Sequence, residues 1–335
     1  MSQIMVLGAG GWGIALALVA TRMSHTVTLW CHDEAELEGI RLHNQNKRCL
    51  PGVFLPHGIE LTGQIETAAT ADMVIVAVPS FAVRTTARRL RGYLRPDAVV
   101  VNAAKGLEDG TLLRFSQVLA QELPHNRIAV LSGPSHAEEV ARRVPTTVTV
   151  SSTDMEAAML VRDTLNHPHF RIYLNDDLIG VELGGALKNV IALCAGIVDG
   201  LGMGDNTKAA LMTRGLAEIA RLGKAMGGHK STFAGLSGMG DLMVTCGSMH
   251  SRNLRAGTLI GRGETVESTI RRVGTVEGYL AVRAAHELAR QNGVEMPIVE
   301  QCYQICYERK DPRKAVSDLI ERPSGTENEP RWIEG

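Results

Sequence analysis

The sequence has almost no net charge, since 35 lysines and arginines stand against 36 aspartates and glutamates over 335 residues. Proteins that bind nucleic acid through its phosphate backbone need a clear basic excess, so we expect no nucleic-acid partner. A local anion site stays compatible with this balance, because net charge does not report on clusters. The 44% hydrophobic content is typical of a globular chain that buries a large core.

The cysteines form no CxxC pair and have no paired histidines nearby, so we expect reduced thiols and no metal site. No apolar run approaches the roughly 20 residues that a membrane span needs. We expect no signal peptide, because the first apolar run, which begins at Ile4, already has the pattern of a folded strand. These absences favour a cytoplasmic protein without a membrane span. The six cysteines are Cys31, Cys49, Cys194, Cys246, Cys302 and Cys306.

Short apolar runs alternate with helical stretches through the first half of the chain. This alternation predicts an α/β domain with a doubly wound parallel sheet. Beyond about residue 178 only helical patterns remain, so we expect an all-α C-terminal domain. We place the two domains at residues 1–178 and 179–335. The predicted strands are 4–7, 26–30, 73–78, 98–103, 128–131, 146–150 and 171–174.

A glycine-rich string, GAGGWG at residues 8–13, lies between a predicted strand and a predicted helix. In this context Gly8 permits a tight turn, Gly10 lets a pyrophosphate approach the backbone, and Gly13 lets the helix pack on the strand. The helix N-terminus adds free N–H groups and a positive dipole end. We therefore expect a nicotinamide dinucleotide here; an ordinary strand–turn–helix without a ligand is the alternative.

The residues after the second strand bear on the choice of cofactor. Asp33 lies about 20 residues past Gly13, where an acid bonds the ribose hydroxyls of NAD. His32 comes before it, where an imidazole can stack on adenine or meet a 2′-phosphate. The sequence leaves NADH and NADPH both open.

Two lysines occur where a charge is costly. Lys105 follows an apolar strand, at the sheet edge where ligands bind. Lys188 lies in a helix that is apolar on nearly all faces, where burial lowers a lysine pKa toward the range of a general acid or base. Asn189 beside it can fix an oxygen or a cofactor amide. The alternative is that Lys188 extends its ammonium to the surface and has no chemical role.

A set of polar residues in the second half suits a phosphate. Ser251, Arg252 and Asn253 open a predicted helix, where dipole, backbone and guanidinium contacts combine. The alternative is a capped helix with a solvated arginine. Asp241, which follows two glycines, is either a turn former or an acid that orients Lys188.

Taken in order, these motifs resemble those of the bacterial NAD(P)-dependent glycerol-3-phosphate dehydrogenases. Gly11 stands where that family commonly has serine, and His32 where arginine is frequent. The matching segments are GAGGWG at 8–13, AKGLE at 104–108, SGPS at 132–135, GGALKNV at 184–190, GMGDL at 238–242, SRN at 251–253 and VEG at 276–278.

The resemblance implies a Rossmann-like first domain and a reversible reduction of dihydroxyacetone phosphate to sn-glycerol 3-phosphate, which feeds glycerophospholipid synthesis. Lys188 is then the proton donor and acceptor. The implied substrate residues are Lys105, Gly133, Ser135, Lys188, Asn189, Asp241, Thr245, Ser251, Arg252 and Asn253. The expected cofactor residues combine those that the resemblance implies with the glycines of the turn and Asp33. They are Gly8, Gly10, Gly11, Trp12, Gly13, His32, Asp33, Lys105, Ala137, Arg252, Thr275 and Glu277.

Two other functions remain open at the level of sequence. A related hydroxyacid or hydroxyacyl dehydrogenase would share a nucleotide domain and a helical domain. A redox sensor that binds dinucleotide without turnover would share only the first of these, since a fold does not fix a function. A homodimer is the expectation from the frequency of such assemblies.

Overall fold

The structure, a computed structural model, describes residues 1–323. Residues 324–335, which the sequence analysis assigns to the end of the helical domain, lie outside the described part. The first 175 residues carry eight strands and six α-helices. The strands are β1 (Gln3–Leu7), β2 (Thr26–Trp30), β3 (Ile59–Thr62), β4 (Met73–Val76), β5 (Val99–Asn102), β6 (Arg127–Ser132), β7 (Thr146–Ser152) and β8 (Phe170–Asn175). The helices are α1 (Gly11–Arg22), α2 (Glu34–His43), α3 (Val83–Leu90), α4 (Phe115–Glu122), α5 (Ala137–Ala141) and α6 (Met155–Leu165).

All eight strands belong to one sheet in the order β3-β2-β1-β4-β5-β6-β7-β8. In this order, each pair of neighbouring strands from β3 to β6 is parallel. The chain leaves β1 toward β2 on one side and later returns to add β4 on the other. This switch point opens a crevice at the carboxyl ends of β1 and β4, where ligands bind in such sheets. The predicted doubly wound fold is confirmed, and β3 is a strand that the sequence pattern missed.

The sheet departs from the predicted parallel arrangement at one pair of strands. Strand β7 pairs antiparallel with β6, and β8 runs parallel to β7, so the last two strands oppose the other six. The physical reason lies in the connection between β6 and β7, which holds only the five-residue helix α5. The connection contains no full-length crossover helix, and the chain re-enters the sheet at the end where β6 stops, so β7 runs opposite to β6.

The central strands of the sheet are buried on both faces. Along β1, Ile4 and Val6 join one apolar layer while Met5 and Leu7 join the other. A strand covered on both sides has no polar face, which explains the uninterrupted apolar runs that marked the strands in the sequence. The carboxyl ends of the strands are where the candidate site described below lies.

The remaining described residues are helical. They form α7 (Leu178–Leu201), α8 (Gly204–Ala225), α9 (Lys230–Phe233), α10 (Asp241–Gly247), α11 (Arg252–Gly261), α12 (Val266–Val273), α13 (Glu277–Gln291), α14 (Pro297–Glu308) and α15 (Pro312–Ile320). Between Asn175 and residue 323 no strand occurs, as the sequence predicts.

Helix α7 corrects the expectation that no segment reaches membrane length. Its 24 residues are long and apolar enough to cross a membrane by length and composition. The apolar window is nevertheless wholly buried inside the protein, and α7 is the central helix of the C-terminal core. A helix that is apolar all round is expected in such a position.

Helix α11 packs unusually close to α7, through glycines on both helices. A Cβ at Gly257 would overlap the carbonyl oxygen of Leu193, and one at Gly196 would overlap the carbonyl oxygen of Leu254. Gly200 and Gly261 repeat this arrangement one turn further along. The close approach carries the N-terminus of α11, with its Ser-Arg-Asn segment, to the middle of α7.

Candidate active site

Lys188 lies near the middle of α7 with only 6% of its surface exposed. Its Nζ donates to Oδ1 of Asp241 at 2.5 Å and to Oγ1 of Thr245 at 2.7 Å, both on α10. The ammonium is therefore held inside the protein rather than extended to the surface. Asp241 orients the lysine, as one of the two sequence interpretations expects.

Lys105 approaches the same carboxylate from the carboxyl end of β5. Its Nζ lies 2.8 Å from Oδ2 of Asp241, an ion-pair contact rather than a well-directed hydrogen bond. It also donates to the carbonyl oxygen of Gly133 at 2.9 Å and to Oγ of Ser135 at 3.3 Å. One carboxylate thus bridges two lysines, one from each domain.

This cluster sets the protonation of Lys188. Burial disfavours the charged amine and lowers the pKa of Lys188 to about 8, and Lys105 nearby lowers it too. Asp241 acts in the opposite direction, because a carboxylate in contact favours the ammonium. The result is a lysine that is charged near neutrality and can still release its proton, which is what a general acid for a carbonyl needs.

Glycines on α7 allow this helix to pack closely against its neighbours at the site. A Cβ at Gly184 would lie 2.6 Å from the carbonyl oxygen of Ser237, and one at Gly185 would lie 2.6 Å from Oγ of Ser132. The segment Leu236–Gly240 forms a π-helical turn that leads into α10 and its first residue, Asp241. Helix α7 can therefore lie directly against this turn and against the end of β6.

The glycine-rich turn has the shape that a dinucleotide phosphate requires. Gly8 has a φ of +112°, which favours glycine, and a Cβ at Gly13 would overlap the carbonyl oxygen of Gly8. A Cβ at Gly10, by contrast, would meet nothing within 4 Å. The open space beside Gly10, at the start of α1, is where a pyrophosphate would approach the backbone, so the residues present fit the cofactor.

The glycine-rich turn contacts the segments around it through Gly11 and Trp12. The Nε1–H of Trp12 donates to the carbonyl oxygen of Ala103, in the segment that follows β5 and carries Lys105. A Cβ at Gly11 would lie 3.1 Å from the carbonyl oxygen of Cys49 and 3.5 Å from the Cβ of Ala137. The turn therefore lies against Ala137 and against the segment that carries Lys105.

The end of β2 brings His32 and Asp33 to the surface. Asp33 caps α2, because its Oδ1 accepts from the backbone N–H of Glu36 at 2.7 Å. His32 is exposed, and its Nδ1 lies 2.9 Å from Nη1 of Arg89 on α3. The structure brings an arginine to this end that the sequence reading did not single out.

The three residues of the Ser-Arg-Asn segment have different surroundings. Ser251 caps α11 through the backbone N–H of Leu254 at 3.2 Å. Arg252 is exposed at the first position of the helix. Asn253 is buried, where its Nδ2 donates to Oδ1 of Asn189 at 2.9 Å and its Oδ1 accepts from the backbone N–H of Gly278 at 2.8 Å. Asn189 and Asn253 thus connect α7, α11 and the start of α13.

Glu277 at the start of α13 reaches across to the sheet. Its Oε1 accepts from the backbone N–H of Ser80, just after β4, at 3.3 Å. Burial raises the pKa of Glu277, and the Ser80 bonds and Arg252 offset part of this rise. Thr275 lies half-buried in the loop immediately before. Glu277 therefore connects the start of α13 with the segment that follows β4.

Sequence reasoning missed the loop that supports the turn. Asn46 is buried and donates its Nδ2 to the carbonyl oxygen of Ala9 at 2.9 Å, while its Oδ1 accepts from the backbone N–H of Cys49 at 3.0 Å. No periodic pattern marks this loop, and an asparagine in such a stretch looks like an ordinary turn former. Only the tertiary structure brings Asn46 beside the glycines.

Within residues 1–323, no group of three or more histidine, cysteine or acidic side chains is arranged to hold a metal ion. The chemistry of the site rests on the lysines, the carboxylate and the dinucleotide turn. A doubly wound sheet with this turn, joined to a helical domain that supplies a buried lysine, defines the class of two-domain nicotinamide-dependent dehydrogenases.

Comparison with known proteins identifies the family within that class. Residues 3–158 match the N-terminal domain of NAD-dependent glycerol-3-phosphate dehydrogenase, and residues 177–317 match its C-terminal domain. The chain belongs to the NAD-dependent glycerol-3-phosphate dehydrogenase family.

Individual relatives agree with this assignment. The chain is 54% identical to the glycerol-3-phosphate dehydrogenase (NAD(P)+) of Desulfitobacterium hafniense, over 96% of this chain and 92% of that one. It is also 54% identical to the enzyme of the same name from Moorella thermoacetica, over 96% of each chain. The crystal structure of a glycerol-3-phosphate dehydrogenase from Coxiella burnetii, 37% identical, superposes with a TM-score of 0.92 over 96% of this chain and 99% of that one.

Proposed function

We propose that this protein is an NAD(P)-dependent sn-glycerol-3-phosphate dehydrogenase, which interconverts dihydroxyacetone phosphate and sn-glycerol 3-phosphate. The observation that carries this proposal is the buried Lys188, held by Asp241 and Thr245 beside the dinucleotide crevice. The names of the relatives supply the substrate. Supply of glycerol 3-phosphate for phospholipid synthesis is the corresponding cellular role.

The nicotinamide cofactor, when bound, supplies or accepts the hydride at the substrate carbon. The protein supplies the proton. Lys188, charged before the step, donates from Nζ to the carbonyl oxygen as negative charge develops there. Asp241 keeps the ammonium aimed and charged, and Lys105 on the other carboxylate oxygen adds positive charge to the same region. In the reverse direction the neutral amine of Lys188 takes the proton from the alcohol.

The substrate phosphate is proposed to bind Arg252 and the N-terminus of α11. The exposed guanidinium and the free N–H groups of the first turn form an anion site. Because a phosphate takes no part in hydride transfer, its binding energy orients the carbonyl toward Lys188. The buried Asn189–Asn253 pair fixes α11 against α7, so the distance between the two ends of the substrate site is set by the fold.

The remaining assignments extend this proposal. We propose the predicted substrate and cofactor residues named in the sequence analysis as the lining of the crevice, with residues 1–178 as the cofactor domain and 179–335 as the substrate domain. The last strand ends at Asn175 and α7 begins at Leu178, which supports that boundary. A cytoplasmic location and a homodimer stay predictions.

A substrate panel tests the proposal. Oxidation of the reduced cofactor, followed by its absorbance, is measured with dihydroxyacetone phosphate and with a 2-oxo acid and a 3-oxoacyl thioester. We expect turnover with the phosphate ester alone. Turnover of either other compound, without turnover of dihydroxyacetone phosphate, would assign the chain to the related hydroxyacid or hydroxyacyl dehydrogenases. Dinucleotide binding with no turnover at all would favour the sensor alternative.

Replacement of Arg252 tests the anion site separately. We expect Arg252→Ala to raise the KM for dihydroxyacetone phosphate roughly 10- to 100-fold, the loss typical of a hydrogen bond to a charged group, with a much smaller change in kcat. Arg255→Ala is the matched control, because Arg255 is an exposed arginine on the same helix. An unchanged KM in Arg252→Ala, or an equal rise in the control, would contradict the anion site.

A further inference from the structure

We propose that Arg89 selects the cofactor, because together with His32 it binds the 2′-phosphate of NADPH and so favours NADPH over NADH. This inference rests on the proposed function only through the dinucleotide site, and it adds a residue and a preference that neither the sequence motifs nor the relatives' names supply. Arg89 lies on α3, whereas the sequence motifs point only to the residues that follow β2.

The structure holds the Arg89 guanidinium at the end of β2. Nη1 of Arg89 lies 2.9 Å from Nδ1 of His32, and the guanidinium carbon lies 5.2 Å from the centre of the Trp30 ring. Trp30 is buried and donates its Nε1 to the carbonyl oxygen of Gly63 at 3.0 Å, so the indole is a fixed platform. The strand end after β2 is where the adenosine ribose lies in folds of this kind.

Arg89 has no acidic side chain in salt-bridge contact among the residues that the structure describes. Within residues 1–323 no carboxylate lies within 4.0 Å of its guanidinium. Its neighbours Arg88 and Arg91 both pair with Glu122 at 3.2 Å. An exposed guanidinium that is stacked on an aromatic ring and lacks an acid partner is suited to a phosphate, which it can bind with two parallel hydrogen bonds.

His32 adds a second donor to this site. An arginine can only donate, so Nδ1 of His32 accepts the bond from Arg89. In that tautomer the imidazole proton is on Nε2, which is left to donate to a phosphate oxygen. The histidine thus contributes a hydrogen bond to the 2′-phosphate and also holds Arg89 in place.

The acid nearest to β2 in the sequence has a structural partner. Asp33 would favour NADH if its carboxylate accepted bonds from the ribose hydroxyls. Its Oδ1 instead accepts from the backbone N–H of Glu36, which holds the carboxylate on the first turn of α2. The arrangement therefore presents two donors, the guanidinium of Arg89 and Nε2 of His32, at the end of β2.

Nucleotide titrations test the inference without any turnover. Binding of adenosine 2′,5′-bisphosphate and of 5′-AMP is measured by calorimetry for the wild type, Arg89→Met and Arg88→Met. We expect the wild type and Arg88→Met to bind the bisphosphate at least about tenfold more tightly than AMP, as one charge-assisted phosphate contact provides. We expect Arg89→Met to bind both about equally, with an unchanged unfolding midpoint that shows the fold is intact.

The ratio of kcat/KM with NADPH to that with NADH should fall by a similar factor in Arg89→Met. A wild type that does not prefer the bisphosphate, or a preference that survives in Arg89→Met, overturns the inference. Absence of dehydrogenase turnover alongside the expected titrations would contradict the proposed function and leave the role of Arg89 standing. The two failures are therefore distinguishable.

Discussion

Lys188→Met is expected to lower kcat for dihydroxyacetone phosphate by at least about 100-fold, the lower range for loss of a general acid. Methionine keeps most of the side-chain volume and removes the ammonium. Asp241 retains the contact with Lys105 at 2.8 Å, so the buried carboxylate is not left without a cation. The loss should therefore fall on the chemical step rather than on the fold.

The control for this variant is Lys224→Met, which removes an exposed lysine from α8. Steady-state kinetics and thermal unfolding are measured for both. Lys224→Met should match the wild type in kcat. Turnover by Lys188→Met within a few-fold of the wild type would mean that another group supplies the proton.

Gly257→Ala is expected to destabilise the protein by about 3 kcal/mol, at the upper end of what one extra methyl costs in a packed interior. The new Cβ would overlap the carbonyl oxygen of Leu193, and backbone cannot rotate away as a flexible side chain can. Helix α11 must therefore move away from α7. Because α11 carries Arg252 and Asn253, the KM for the phosphate substrate should rise as well.

Gly39→Ala provides a matched comparison. Gly39 also lies inside a helix, α2, but a Cβ there would meet nothing within 4 Å. Alanine should stabilise that helix by about 1 kcal/mol or less, since glycine is the poorer helix former. Equal effects of the two substitutions on chemical denaturation would contradict the account of the α7–α11 contact.

Two buried carboxylates show that burial alone does not make a catalytic group here. Glu182 on α7 is buried and pairs with Arg114 at 2.5 Å, and burial raises its pKa. Burial also raises the pKa of Glu218 to about 7, while its oxygens accept from the backbone N–H groups of Ile298 and Val299 at the start of α14. Both lie in structural contacts, whereas Lys188 lies beside the dinucleotide crevice.

The parts of the fold that the sequence predicted are those with a strong local pattern. Strand β1, the glycine turn and α7 each carry their signal in a few consecutive residues, because burial on all sides leaves no polar positions. Strand β3 is short and half polar, and it forms because β2 offers an edge to pair with. The reversed direction of β7 depends on how the short α5 packs, which no local pattern records.

The same distinction applies to the site. Lys188 stood out because a charge is costly in an apolar helix, and Lys105 because it follows a buried strand. Asn46 and Arg89 carried no such mark, since an asparagine in a loop and an arginine on an amphipathic helix are both ordinary. Only the tertiary structure brings them to the turn and to the end of β2.

The pH dependence of kcat/KM for dihydroxyacetone phosphate tests the central claim, that Lys188 is a buried proton donor, most directly. The donor must be charged, and the pKa of Lys188 is lowered to about 8. In the direction of reduction, kcat/KM should therefore be constant below that pH and fall about tenfold per pH unit above it, since this parameter follows the free enzyme. A value that stays constant up to about pH 10, where an ordinary lysine titrates, would contradict the assignment of Lys188.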